Sequence, residues 1–135
     1  MIKRCGIALS ALVMAFALGA GLASAEEGHD EAHDHGPAHN GIVAHSGHHH
    51  LELVAVGGTI DLYVTHEDGD AEDVSGAKAT ATVLADGKTE VVTLAPATGN
   101  ALKGTGSFNA AKGTTVVVSL TMPGHQTEQV RFKLE

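Results

Sequence analysis

The chain has 135 residues with 8 Lys and Arg, 16 Asp and Glu, and 10 His, and its formal net charge at pH 7 is −8. This length is typical of one modest domain, and the acidic balance argues against nucleic acid and anionic membrane surfaces as partners. The sole cysteine, Cys5, lies in a leader that we expect to be removed, which excludes disulfides, thiolate metal sites and a thiol nucleophile from the mature chain.

Residues 1–25 have the three parts of a secretory signal peptide. Lys3 and Arg4 form the positive start, Ile7 to Leu22 is apolar, and Ala23-Ser24-Ala25 is a small-residue cleavage site. No basic stop-transfer flank follows, so we expect cleavage, no lipid anchor and no membrane insertion afterwards. The mature protein would keep six basic and all 16 acidic residues, a net charge of −10. It is predicted to be periplasmic, or secreted if the source is not Gram-negative.

Residues 26–40 read EEGHDEAHDHGPAHN and offer almost no apolar side chain to bury. Because nothing there offsets the entropy lost on ordering, we expect a disordered, histidine-rich arm when no ligand is bound. The folded domain is then predicted over residues 41–135.

Short apolar runs with turn signals between them fill this domain, and no stretch has a convincing 3.6-residue apolar period. The predicted strands cover about Gly41 to Ala44, His50 to Val56, Thr59 to Thr65, Lys78 to Leu84, Thr89 to Leu94, Ala101 to Phe108, Thr114 to Thr121 and Thr127 to Leu134. The turn signals are Gly57-Gly58, Asp86-Gly87, Pro96 to Gly99, Lys112-Gly113 and Pro123-Gly124. The sequence therefore predicts an all-β domain, and seven to eight strands fit a small immunoglobulin-like antiparallel β-sandwich better than a closed barrel.

The Gly57-Gly58 turn sets the register of the first long hairpin. With a two-residue loop, Val56 pairs with Thr59, and counting outward places His49 opposite His66. Directly paired side chains stand ~5 Å apart, which lets two imidazoles share one metal ion. On the other face the expected pairs are His50 with Thr65, Glu52 with Tyr63 and His48 with Glu67.

Histidine is the anomaly of the composition, because eight of the ten lie within 22 residues and His66 follows at the end of the next strand. Neutral imidazole binds borderline transition metals well, and nearby carboxylates add oxygen ligands, so the predicted cofactor is Zn²⁺, Cu²⁺, Ni²⁺ or Co²⁺. The candidate ligands are His29, His33, His35, His39, His45, His48, His49, His50, Glu52 and His66. His49 and His66 would form an ordered site completed by His45 or His48, and the arm would scavenge ions.

Other interpretations of the same residues stay open. A histidine pair at a sheet rim is also compatible with simple solvation, and a histidine-rich acidic arm can be a pH-responsive segment, since imidazoles titrate near neutral pH. We expect His125 to be an exposed turn residue, unless the fold brings its turn beside His66. The acidic run from Glu67 to Asp73 lacks the EF-hand spacing. No Gly-x-Ser-x-Gly, phosphate-loop or dinucleotide motif is present, so we expect no enzyme.

Residues 39–84 contain the segments HNGIVAHSGHHHLELV and GTIDLYVTHEDGDAEDVSGAKATATVL. This part of the chain resembles a small β-domain found in the periplasmic adaptor (membrane-fusion) subunits of heavy-metal cation efflux pumps and in free-standing small relatives of that domain. The matching positions are His39, Gly41, Val43, Glu52, Leu53, Val54, Tyr63, Asp68 and Gly69, and Asn40 departs from the family's His-Gly-Gly-x-Val. The resemblance implies a role in metal resistance. Because the chain lacks the long helical hairpin of an adaptor, the resemblance implies metal binding or delivery and no direct role in pumping.

Three functional hypotheses follow. The first is a periplasmic divalent transition-metal-binding protein, a buffer or chaperone in heavy-metal homeostasis or efflux, whose partners are metal ions and a heavy-metal efflux adaptor. The second is an envelope interaction module that docks on such an adaptor, with the arm as a pH-responsive segment. The third is a metal-dependent enzyme with an open histidine site.

Overall fold

The computed structural model describes residues 36–135, so the predicted leader and residues 26–35 of the arm lie outside the described part. Eight strands follow one another: β1 (Ile42–Ser46), β2 (His49–Val56), β3 (Thr59–His66), β4 (Lys78–Ala85), β5 (Lys88–Pro96), β6 (Ala101–Thr105), β7 (Thr115–Thr121) and β8 (Glu128–Lys133). All strand pairings are antiparallel, and residues 36–135 contain no helix. The all-β prediction and the expected number of strands are therefore confirmed.

Most of the predicted turn residues lie between the strands, but several strand bounds differ from the prediction, since β1 continues to Ser46 and β6 ends at Thr105 and not at Phe108. Asp86 and Gly87 join β4 to β5 with φ angles of 50° and 72°, a backbone that suits the twist of a tight hairpin. Gly57, with φ 58°, begins the β2–β3 turn. Gly58 is needed for a different reason, because a Cβ there would lie 2.5 Å from the backbone oxygen of Gly106. The loop after β6 thus passes too close for any side chain.

The strand order is β1-β2-β3-β6-β5-β4-β7-β8 in a single sheet. The long strand β5 connects the two halves: it pairs with β4 up to Leu94, and then Ala95 and Pro96 pair with β6. The edge strands β1 and β8 lie against each other, so the sheet is nearly closed and barrel-like. Two separate sheets of an immunoglobulin-like sandwich are not confirmed. Alternating apolar residues give each strand one buried face in either architecture. The two architectures are distinguished by the passage of β5 from β4 to β6 and by the approach of β1 to β8.

The interior is a packed apolar core to which every strand contributes. Leu51 and Leu53 of β2 are at most 1% exposed, and the inward side chains of β3 are fully buried. Phe132 of β8 is the largest fully buried side chain. This core leaves the opposite face of β1, β2 and β3 directed outward.

Chain direction alternates from strand to strand, so four connections lie at one end of the barrel-like sheet. They are residues 47–48, 67–77, 97–100 and 122–127, and we call this end the histidine end because His48, His49, His66 and His125 lie in or beside these connections. Over the described residues, no helix has the length and apolar character needed to cross a bilayer.

Candidate functional site

The predicted hairpin register is confirmed, with His49 opposite His66, His50 opposite Thr65 and Glu52 opposite Tyr63. The side chains of His49 and His66 nevertheless contact different partners. His49 is 3% exposed and places its Nδ1 3.2 Å from Oε2 of Glu128. The side chain of His66 is 39% exposed, with its Nδ1 3.2 Å from Oδ1 of Asp68. The backbone thus pairs the two histidines, and each imidazole has its own carboxylate.

His48, one of the two residues predicted to complete that pair, lies at the rim of the sheet. Its Nδ1 is 3.1 Å from Oε2 of Glu67, and its ring centroid is 6.3 Å from that of His66. The hydrogen bond from His48 lowers the pKa of Glu67, and the backbone N–H of Asp70, with a smaller contribution from His66, lowers the pKa of Asp68. Because both carboxylates are exposed, water screens these interactions and they contribute little to stability.

His45 and His50 occupy the outer face, opposite the core. They are directly paired between β1 and β2, and their rings meet edge to face with centroids 4.1 Å apart. Strand alternation explains this placement, since His50 is out of phase with the buried Leu51 and Leu53. His45 is therefore close to His50 and on the opposite face of the sheet from His49.

Glu52 holds the segment that precedes β1. Its carboxylate accepts hydrogen bonds from the backbone N–H groups of Ala38, His39 and Gly41 at 3.1, 2.7 and 2.9 Å. It also lies 3.0 Å from Nδ1 of His39. The predicted arm extended to residue 40, whereas these contacts attach the chain to the sheet from Ala38 onward.

The same hydrogen bonds determine the protonation of Glu52. Burial alone would raise the pKa of Glu52, but the bonds from Gly41 and His39 outweigh burial and hold the pKa below its usual value. The ionised carboxylate can only accept hydrogen bonds, so Nδ1 of His39 must carry a proton. The neutral ring then has its lone pair on Nε2, which is the arrangement of a metal-ligating histidine with a carboxylate behind it.

A cavity of about 480 Å³ lies over this part of the outer face. His39 and His50 both line it, together with Glu52, Tyr63 and Asn100. The ring of His39 stacks on that of Tyr63 with centroids 3.6 Å apart and an interplanar angle of 4°. Two imidazoles and a carboxylate therefore border one cavity, and we call His39, His45, His50 and Glu52 the outer histidine face.

The remaining candidate ligands, His29, His33 and His35, lie outside the described residues. Within residues 36–135, no three or more His, Cys, Asp or Glu side chains are already placed to hold one metal ion. Any ion bound at the outer histidine face or the histidine end must therefore turn side chains from the positions seen here.

Three residues at the histidine end contact or face His49 and were not among the ligands predicted from the sequence, although His125 was named as an exposed turn residue. Glu128 bonds to its Nδ1, Glu72 lies 4.0 Å from its Nε2, and the ring centroid of His125 is 5.5 Å away. A signal did exist for Glu128, which alternates in phase with the buried Val130 and Phe132. Neither Glu72 nor His125 has such a signal, because both lie in connections without a repeating pattern.

No family model matches the chain, and no curated protein or solved structure matches it significantly. The resemblance of residues 39–84 to heavy-metal efflux adaptors therefore stays a prediction from the sequence.

Proposed function

We propose that the protein is an exported divalent transition-metal-binding protein that buffers or delivers ions in the periplasm as part of heavy-metal homeostasis or efflux. The observation that supports this most directly is the position of His39. Its Nδ1 is held by Glu52, its Nε2 lone pair is left to bind a metal ion, and its ring borders the same cavity as His50. The ions that this donor type favours are Zn²⁺, Cu²⁺, Ni²⁺ and Co²⁺.

In this proposal, the outer histidine face supplies the ordered ligands. The rings of His45 and His50 are in edge contact, and His50 lines the cavity that His39 also borders. Glu52 is a positioning residue: it orients His39 and need not touch the ion. His29, His33 and His35 of the arm then add capacity, and an efflux adaptor with similar sequence segments is the proposed recipient of the ion.

The first experiment locates the ion. Tyr63 is the only tyrosine and the chain has no tryptophan, so tyrosine emission reports on the ring stacked against His39. Cu²⁺ bound nearby quenches this emission, whereas Cu²⁺ bound only by the arm leaves most of it. We expect saturable quenching in the wild type. His50→Ala leaves the His39–Tyr63 stack in place and should raise the dissociation constant for Cu²⁺ more than tenfold.

His48→Ala is the matched control, because it removes a histidine that is paired with Glu67 outside the outer histidine face. We expect the same quenching curve as in the wild type. Equal curves for wild type and His50→Ala would contradict the proposed site. If equilibrium dialysis followed by metal analysis also finds none of the four ions retained, the proposal of metal binding fails and the interaction-module hypothesis replaces it.

A further inference from the structure

His49 is a buried histidine with a carboxylate near each ring nitrogen. Glu128 lies 3.3 and 3.2 Å from Nδ1 through its two oxygens, and Oε1 of Glu72 lies 4.0 Å from Nε2. Gly47 leaves room for this carboxylate, since a Cβ there would lie 3.0 Å from Oε1 of Glu128. The hydrogen bond spans 79 residues of sequence and joins β2 to the beginning of β8.

The two ring nitrogens of His49 have different contacts. Glu128 accepts a hydrogen bond from Nδ1, whereas Oε1 of Glu72 lies 4.0 Å from Nε2. A separation of 4.0 Å is too long for a hydrogen bond, so no direct contact closes the position between Nε2 and Glu72. The carboxylates on the two sides of the ring would stabilise a cation there, which is either a proton on Nε2 or a metal ion bound by both groups. In a tetrahedral site with metal–ligand bonds of about 2.0–2.2 Å, two donors stand about 3.3–3.6 Å apart, so a movement of Glu72 by roughly half an ångström would let it share an ion with Nε2 of His49.

His125 provides a third donor at the same place. Its ring is exposed in the β7–β8 connection, and it lies 5.5 Å from the ring of His49 at an interplanar angle of 73°. The backbone of this connection is fixed by the hydrogen bond from the N–H of His125 to the carbonyl of Met122. Because the His125 side chain is exposed, it can turn toward the ring of His49 without disturbing the core.

We infer that His49, Glu72 and His125 form a second divalent-metal site at the histidine end, in which Glu128 is the positioning residue for His49. Two imidazoles and one carboxylate with a fourth position open to solvent suit Zn²⁺ and ions of similar preference. The site deepens the proposed metal-binding function and rests on it, but it shares no residue with the outer histidine face, so the loss of one site and the loss of the other can be told apart. An ion there would tie β2 to the β3–β4 and β7–β8 connections beside the seam between β1 and β8.

The test is a Zn²⁺ titration of the full chain, followed by NMR of the imidazole nitrogens. Zinc ligation shifts the Nε2 resonance of a ring, so the Nε2 resonances of His49 and His125 should shift together. In the same spectra, the resonances of His39 and His50 report on the outer histidine face. The variants are Glu72→Gln and His125→Ala, both at connections outside the strands, where the fold is expected to tolerate them. Each should weaken the binding read at His49 more than tenfold.

His48→Ala and Glu67→Gln are the matched controls, since they remove an exposed histidine–carboxylate pair from the same end of the sheet. We expect neither to change the titration of His49. If the His49 resonances do not respond to Zn²⁺, or respond equally in all four variants, the contacts of His49 are a structural ion-pair network and the inference is wrong. Thermal unfolding gives a second measurement: saturating Zn²⁺ should raise the midpoint by roughly 5 °C or more in the wild type, and by less in Glu72→Gln.

Discussion

Glu52 shows how one side chain serves both the fold and the proposed function. It is the only acidic residue among residues 36–135 that is buried, and four hydrogen bonds satisfy it. Buried carboxylates are costly unless they are fully hydrogen-bonded. The bonds from the backbone hold the segment before β1 on the sheet, and the bond to His39 fixes the tautomer of that ring. Loss of the charge should therefore affect both stability and metal binding.

At the residue scale, Glu52→Gln should lower the free energy of unfolding by about 1–3 kcal/mol near pH 7, because an amide replaces an acceptor of four bonds. The folded pKa of Glu52 lies below its usual value of 4.5, so its stabilisation is complete above that value and is lost as the pH falls through it toward the folded pKa. The difference between wild type and variant should thus shrink in acid. Urea unfolding at a series of pH values measures it. Glu67→Gln, an exposed control, should change little, and a pH-independent difference for Glu52→Gln would contradict the argument.

At the scale of elements, the β2–β3 hairpin depends on two glycines for different reasons. Gly58→Ala should destabilise the protein by about 1–3 kcal/mol, because its Cβ would lie 2.5 Å from a backbone oxygen that cannot move without shifting the loop after β6. Gly57→Asn is the control, since no atom lies within 4 Å of an added Cβ and Asn tolerates a positive φ. Chemical unfolding of both variants is the measurement, and equal midpoints would show that the close approach at Gly58 is unimportant.

This hairpin also shows what a sequence can predict. Its turn is local, so Gly57-Gly58 and strict alternation were enough to pair His49 with His66. The pairing of β3 with β6 and the passage of β5 between β4 and β6 depend on contacts between distant segments, and no local pattern records them. The same limit applies to the candidate sites. The outer placement of His50 follows from its phase, whereas the approach of Glu128 to His49 across 79 residues required the closed arrangement of the sheet.

At the scale of the whole molecule, one core connects both halves of the sheet. β5 belongs to both halves, and Phe132 on the edge strand β8 is packed into the same interior as the side chains of β2 and β3. A protein of this size with one shared core is expected to unfold in a single transition. A destabilising substitution on the edge strand β8 should therefore lower the unfolding midpoint reported by Tyr63, which lies on β3 away from β8 in the strand order.

Phe132→Ala tests this coupling. Removal of a side chain that is 1% exposed should cost about 3–5 kcal/mol, since the cavity left behind closes only in part. The control is Val91→Ala on β5, where the side chain is 64% exposed and the expected change is within about 0.5 kcal/mol. Unfolding is followed in parallel by Tyr63 emission and by far-ultraviolet circular dichroism. Both signals should shift to the same lower midpoint in Phe132→Ala. Two separate midpoints would mean that the halves of the sheet unfold independently, and that β5 does not couple them.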